Sequence, residues 1–329
     1  MTPRPRVWLS RRWPAAVETA LAADYDLQTN PGDQPRTAAE FAQAFRWADA
    51  VCPTVTDRLD PELFAALPPA DLRTRLLANF GAGYNHIDQA SCAALGLAVS
   101  NTPDVLTEAT AELAMTLLLM VARRAGEGER LLRAGRWQGW HPTALMGTAV
   151  TGRCLGIVGM GRIGRAMARK AQLGFGMSVR YFGGRCDAAD GFSAEPCDSI
   201  ESLLASSDFV SLHCPSTPAT RHLLNAQRLA AMRPEAFLVN TARGEVVDEA
   251  ALAAALSAGQ LAGAGLDVFE QEPLVHPALL GLENVVLLPH LGSATVATRE
   301  AMGFRVKSNL DAFFAGQPLP DGIRLSPDP

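Results

Sequence analysis

Residues 154–164 read CLGIVGMGRIG, an apolar run that passes straight into three glycines with GxGxxG spacing. No other stretch restricts the fold of this chain as much. The apolar run is a buried strand, Gly159 permits a tight turn, Gly161 lets backbone N–H groups approach a pyrophosphate, and Gly164 lets a helix lie close on the sheet. The glycines alone are weak evidence, because a close-packed turn or a methyltransferase uses similar spacing. Here a helix is expected over 163–173 and a second strand ends near Phe182, which is the context of a dinucleotide site.

A NAD site normally places Asp or Glu at the end of that second strand, on the ribose hydroxyls. This chain has Phe182, Gly183, Gly184 and Arg185 there, and no acid before Asp187. Arg185 offers a fork of donors suited to a 2′-phosphate, against the plainer reading of a solvated loop charge. NADP(H) is therefore the favoured cofactor, with NAD(H) as the alternative.

Short apolar runs alternate with alanine-rich helical stretches along the whole chain, the pattern of parallel βαβ units, so the fold class is α/β. Before the glycine motif, strands are expected at 6–9, 48–52, 76–79 and 98–100, with helices around 14–23 and 38–47. From the motif onward they are expected at 154–158, 178–182, 209–212, 236–240, 263–267 and 285–288, a series that suits a nucleotide-binding sheet. Two doubly wound parallel-sheet domains follow: a smaller one over 1–101, completed by 293–329, and a dinucleotide-binding one over 102–292. A helix over 105–124 bridges them, and the last helix, about 295–316, has to pack back on the first domain. With 329 residues, 48% of them apolar, the chain is long enough to bury two cores.

Charge and cysteines narrow the partners. A formal charge of −5 with no block of like charges leaves nucleic acid and anionic membrane unsupported, so the expected partner is a small molecule or another copy of the chain. The six cysteines form no CxxC and no His-paired ligand spacing, which points to reduced thiols in a cytoplasmic protein and to no metal site. The longest apolar run, LAMTLLLMVA at 113–122, is too short to span a bilayer and reads as a buried helix. The arginine-rich start resembles a signal n-region, but only Val7, Trp8 and Leu9 follow before further arginines, which is a first strand rather than a targeting segment.

Three further motifs each follow an expected strand: NTARG at 240–244, LDVFEQEP at 266–273 and PHLGSAT at 289–295. The carboxyl ends of strands in a doubly wound sheet line the ligand crevice, so an Arg, a Glu and a His can converge there. A lone His is more often structural and a lone Arg more often a surface charge, but three at successive strand ends beside a cofactor motif favour a functional reading.

At these residues the chain resembles the D-2-hydroxyacid dehydrogenases. NFGAGYNHID (79–88), NTPDVLTEATAELA (101–114), GMGRIG, NTARGEVVD, LDVFEQEP and PHLGSAT are similar to family motifs in family order, over nearly the whole chain. The likeness is nearest to the glyoxylate/hydroxypyruvate reductases, through GWxP at 139–142 and the pair Gly184 and Arg185. It implies a flavodoxin-like substrate domain and a Rossmann cofactor domain in a homodimer. It also implies that Arg243 binds the substrate carboxylate and carbonyl, that His290 is the acid/base and that Glu272 orients it. The amides of Gly81, Ala82 and Gly83 would hold the carboxylate. Thr107, Arg162, Ile163, Cys214, Pro215, Thr241, Asp267, His290 and Gly292 would line the cofactor beside the three glycines. Trp137 and Trp140 flank a loop that belongs to the family's dimerisation arm, where Trp140 either reaches the neighbouring subunit's substrate pocket or only packs in the interface.

The implied chemistry suits these groups. Reducing a 2-keto acid puts hydride on C2 and negative charge on its oxygen, which calls for a fixed cation and a proton donor. Arg243 and protonated His290 supply them, with Glu272 stabilising the imidazolium. The competing reading is a dinucleotide sensor, since proteins similar to this family serve as corepressors that bind NAD(H). Cys214 lacks a base to activate it, and His213 and His222 read as structural. Glu108 and Glu112 read as a helix cap and a solvated face rather than a carboxylate dyad.

Overall fold

The computed structural model describes residues 3–187 and 190–325, and the chain divides into two compact units, Met1–Leu106 with Ala294–Pro329, and Thr107–Ser293. In the first unit β1 (Arg6–Leu9), α1 (Ala15–Asp24), β2 (Asp26–Gln28), α2 (Ala38–Trp47), β3 (Ala50–Cys52), α3 (Pro61–Ala65), β4 (Leu76–Ala78), α4 (Gln89–Ala94) and β5 (Ala98–Ser100) follow in turn. The strands are all parallel, in the order β2-β1-β3-β4-β5. Several helix starts are written locally: Thr37 and Glu40 form a reciprocal capping box at α2, Asp60 accepts the Leu63 amide as Pro61 opens α3, and Asp88 caps α4. Alternate strand residues face opposite sides of the sheet. Trp8, Val51, Leu77 and Val99 pack with Phe41, Phe45 and Phe64, while Val7, Leu9, Cys52 and Ala78 pack with Val17 and Leu21. Strand β2 was not among those expected, because a largely exposed edge strand whose only apolar residue is Leu27 shows no periodicity.

The second unit opens with α5 (Thr107–Ala122) and α6 (Ala125–Arg133), then β6 (Cys154–Met160), α7 (Arg162–Phe175), β7 (Ser178–Gly184) and β8 (Glu195–Pro196). It continues with α8 (Ile200–Ser206), β9 (Phe209–Leu212), α9 (Ala226–Ala230), β10 (Phe237–Asn240), α10 (Glu249–Ser257), β11 (Gly263–Leu266), α11 (Pro277–Leu280) and β12 (Val285–Leu287). Its seven-stranded parallel sheet runs β12-β11-β10-β9-β6-β7-β8. Strand order therefore reverses between β6 and β9, the place where open α/β sheets hold ligands beyond the strand ends. Leu155, Ile157 and Val239 face Leu117, Leu118 and Met167 of α5 and α7, and Val158, Leu212, Leu238 and Leu266 face Leu203, Leu204 and Leu252 on the other side. The run at 113–122 is part of α5, and among the described residues no helix is long and apolar enough to cross a membrane. Helix α6 and the two-residue β8 add to the expected elements; two glycines in AGEGERLLR hide the helix.

The last helix, α12 (Val296–Phe314), belongs to the first unit. Met302, Val306 and Leu310 enter the core formed by Val17 and Leu21, and the Tyr25 hydroxyl donates to Asp311.

Candidate active site

The turn from β6 into α7 sits at the reversal of strand order. Gly159 has φ +94°, and a Cβ there would lie 2.7 Å from the amide nitrogen of Cys214, so the turn presses against the end of β9. A Cβ on Gly164 would run into the carbonyl of Gly159, which keeps α7 tight on the turn. Gly161 differs. The space around it is open, and as the residue before α7 it offers no side-chain bond to the first amides of the helix. Two of the three glycines are thus required by the protein's own packing, whereas the third leaves the positive end of a helix facing open space, which fits a pyrophosphate. Thr241, just after β10, has a buried hydroxyl with no hydrogen-bond partner, a second group that a bound dinucleotide would satisfy.

Strand β7 runs on to Gly184, with φ of +75° at Gly183 and +88° at Gly184. Arg185 follows with its side chain 81% exposed, donating from Nε and Nη2 to Asp187 Oδ2 at 3.1 and 3.0 Å. The guanidinium at the strand end is therefore already paired with the first acid after it.

Strands β10, β11 and β12 are neighbours, and the loops at their C-terminal ends carry Arg243, Glu272 and His290. His290 Nδ1 lies 2.8 Å from Glu272 Oε2, and Glu272 Oε1 accepts the Phe269 amide at 3.1 Å. Burial by itself would raise the Glu272 carboxyl, but the hydrogen bond and charge of His290, the Phe269 amide and the Arg243 cation together hold it below the ordinary carboxylate range. For Arg243 burial disfavours the cation while the Glu272 and Glu245 carboxylates favour it, and its Nη1 donates to the Ala242 carbonyl at 2.7 Å. The arrangement offers a charge-supported imidazole beside an arginine that remains cationic.

Backbone close approach sets this geometry. Gly244 lies so near Phe269 and Glu270 that any Cβ would overlap the Phe269 carbonyl carbon, which draws the loop after β10 onto the loop after β11. His290 has φ +54°, a costly value for a residue with a side chain. Its amide donates to Asp267 O at 2.9 Å, and the fully buried Asp267 carboxylate accepts the amides of Leu291 and Gly292 at 2.6 and 2.8 Å. Burial raises the Asp267 carboxyl, and those amides work against the rise.

His222, read from sequence only as structural, joins a second His–Glu pair. Its Nε2 is 2.9 Å from Glu270 Oε2, and its amide donates to Glu245 O at 2.7 Å. Glu270 Oε1 accepts the Glu249 amide at 2.9 Å, and Glu249 Oε1 accepts the Glu270 amide at 2.6 Å. This network ties the loop of Arg243 to the loop of Glu272. Its only sequence signal is the first Glu of FEQEP, and nothing local links that residue to a histidine 48 positions away.

The remaining candidates lie on several elements. Thr107 begins α5, Arg162 and Ile163 begin α7, and Pro215 is exposed after β9. Burial raises the Cys214 thiol to about 11 and lowers His213 to about 4, so neither is a reactive group near neutral pH. Glu108 pairs with Arg169 and Lys170 at the surface. Trp140 is 82% exposed on the segment after α6. In the first unit, Gly81, Ala82 and Gly83 form the loop after β4, where the carbonyls of Gly81 and Gly83 each accept from Asn79 Nδ2 at 3.0 Å. Among the described residues no cluster of His, Cys, Asp and Glu is arranged to hold a metal ion.

Residues 115–292 match the family model described as D-isomer specific 2-hydroxyacid dehydrogenase, NAD binding domain. The chain is 42% identical over 326 residues to a glyoxylate reductase of Thermococcus litoralis, covering 97% of this chain and 96% of that protein. It is 40% identical over 306 residues to a glycerate dehydrogenase of Hyphomicrobium methylovorum, covering 92% of this chain and 94% of that protein. Among solved structures, an NADPH-dependent glyoxylate/hydroxypyruvate reductase from Sinorhizobium meliloti, in complex with NADP and malonate, superposes with a TM-score of 0.86 at 36% identity and 98% coverage of both chains. With the cofactor half matched by a family model and the whole length matched by relatives, the protein belongs to the D-isomer-specific 2-hydroxyacid dehydrogenases and is an oxidoreductase that uses a nicotinamide dinucleotide.

Proposed function

We propose that this protein is an NADPH-dependent reductase of small 2-keto acids, with glyoxylate and hydroxypyruvate as its substrates. The observation that carries the reading is the His290–Glu272 pair beside Arg243, a proton donor with an ionised partner next to a fixed cation. Likeness to a glyoxylate reductase at 42% identity supports the substrate class, and likeness to an NADP-complexed reductase at 36% supports the nucleotide.

The bound nicotinamide supplies the hydride. As the keto carbon is reduced, charge develops on its oxygen, and Arg243 stabilises that charge while gripping the carboxylate with its fork. His290 delivers a proton from its ring to the same oxygen, and Glu272, held ionised, keeps the ring aimed through Nδ1. The Gly81–Gly83 loop receives the substrate carboxylate on its amides. The α7 start at Gly161 takes the pyrophosphate, and Arg185 takes the 2′-phosphate. A homodimer in the cytoplasm is the proposed working form, with Trp137 and Trp140 on its self-association face.

Initial rates with glyoxylate, hydroxypyruvate, pyruvate and phenylpyruvate, each with NADPH and NADH, test the reading. The highest kcat/KM is expected for the first two with NADPH. Absence of turnover with every one of them would overturn the reductase assignment and favour a dinucleotide sensor.

Cofactor choice has its own test. Because Arg185 is exposed and its fork is shared with Asp187, Arg185→Ala is expected to raise the KM for NADPH by only about tenfold, while the KM for NADH stays put. Gly183→Asp should turn the preference toward NADH, since a carboxylate there repels the phosphate and accepts the ribose hydroxyls. The φ of +75° makes that variant less stable by about 1 kcal/mol, a cost visible in Tm but not in the cofactor ratio. A parent that already prefers NADH, or an Arg185→Ala enzyme that loses both cofactors equally, would show that this strand end does not read the phosphate.

A further inference from the structure

The loop after β4 is held in an unusual way: each of its three consecutive carbonyls is captured by a side chain or amide of the same unit. Gly81 O accepts Asn79 Nδ2 and the Thr102 amide, both at 3.0 Å. Ala82 O accepts Asn101 Nδ2 at 2.7 Å, and Gly83 O accepts the same Asn79 Nδ2 at 3.0 Å. A carbonyl drawn to one side of a peptide plane sends the next N–H to the other side. The Gly81 amide is spent on Asn79 O at 3.1 Å, but no acceptor among the described residues takes the amides of Ala82 and Gly83. Two successive N–H groups are thus left without a protein acceptor beside carbonyls that are all fixed, which leaves both available to a bound anion.

Asn79 is buried at 1% exposure, and its amide has only one sensible orientation. Two carbonyl oxygens lie on the Nδ2 side, so Oδ1 must face a donor, and His86 Nε2 is there at 3.1 Å. His86 therefore carries its proton on Nε2 and prevents the Asn79 amide from flipping. A flip would set Oδ1 against the Gly81 and Gly83 carbonyls and release the loop.

We infer that Asn79, locked by His86, and Asn101 are positioning residues that preorganise the Ala82 and Gly83 amides to receive the substrate carboxylate. This deepens the proposed 2-keto acid reductase and rests on it for the identity of the anion. None of the three side chains is assigned a contact with substrate. The contribution is entropic: a loop already in its binding shape loses less freedom when the carboxylate arrives.

The test uses the full chain and the variants Asn101→Ala, His86→Leu and His86→Gln. Asn101→Ala and His86→Leu should each raise the KM for glyoxylate about tenfold, the effect of one lost buried hydrogen bond, with kcat and NADPH affinity within about twofold of the parent. His86→Gln keeps an N–H where Nε2 stood and should restore most of the affinity. A neutral probe, methyl pyruvate, has no carboxylate for the amides, so its kcat/KM should hardly change in any variant. Calorimetric titration of the NADPH-loaded protein with oxamate reads the loop without turnover. A parent that binds oxamate yet reduces no 2-keto acid overturns the assigned substrate and leaves the clamp standing, provided the two loss variants bind it more weakly. Variants that bind oxamate like the parent, or that lose the acid and the ester equally, overturn the clamp. A parent that binds no oxamate overturns both.

Discussion

Arg243→Lys is expected to lower kcat/KM for glyoxylate by roughly 100-fold, near 3 kcal/mol of transition-state stabilisation. Lysine keeps one positive charge but loses the planar fork, so it can neither grip a carboxylate in bidentate fashion nor reach carbonyl oxygen and carboxylate together. Its single ammonium also has to be buried where Glu245 and Glu272 offer the nearby compensating charges. Both KM and kcat should suffer, because one guanidinium serves binding and the developing charge. Steady-state rates followed at the nicotinamide band, with cofactor affinity measured separately by fluorescence quenching, separate substrate from cofactor effects. An Arg243→Lys enzyme within a factor of two of the parent would show that the charge is stabilised elsewhere.

Glu272→Gln should also cost about 100-fold in turnover while leaving NADPH binding intact, within the range expected when an acid/base group loses its tuned partner. Its sharper signature is in pH. Glutamine cannot ionise, so the loss of activity at low pH, where protonation of Glu272 breaks its bond to Nδ1, should be absent from the variant. In the parent, the depressed carboxyl of Glu272 keeps the pair intact as pH falls, and acid breaks it only below the ordinary carboxylate range. A variant that keeps the parent's turnover and its loss of activity at low pH would remove Glu272 from the proton path.

Much of this was legible in the chain because the causes are local. An apolar run followed by glycines at 159, 161 and 164 specifies a strand, a turn and a close helix through sterics alone, and the structure has them as β6 and α7. The helix expected around 38–47 has an equally local cause, the capping box of Thr37 and Glu40 at the start of α2. Strand β2 escaped because its single apolar residue makes no period, and helix α6 because two glycines in AGEGERLLR weaken its helical propensity.

What the chain by itself determined was the series of parallel strands, the glycine turn and the order in which Arg243, Glu272 and His290 follow adjacent strand ends, since each depends on neighbours within a few residues. The tertiary structure alone decided which partner each takes. FEQEP holds two glutamates, and nothing in its composition says that Glu272 meets His290 while Glu270 meets His222. That choice follows from the approach of Gly244 to Phe269 and from the left-handed turn at His290, both products of loops pressed together from distant parts of the chain. The same holds for Asn79 and Asn101, whose grip on one loop depends on β4 and β5 lying side by side. Hydrogen bonds between side chains and backbone form wherever packing brings donor to acceptor, and sequence spacing does not encode that distance.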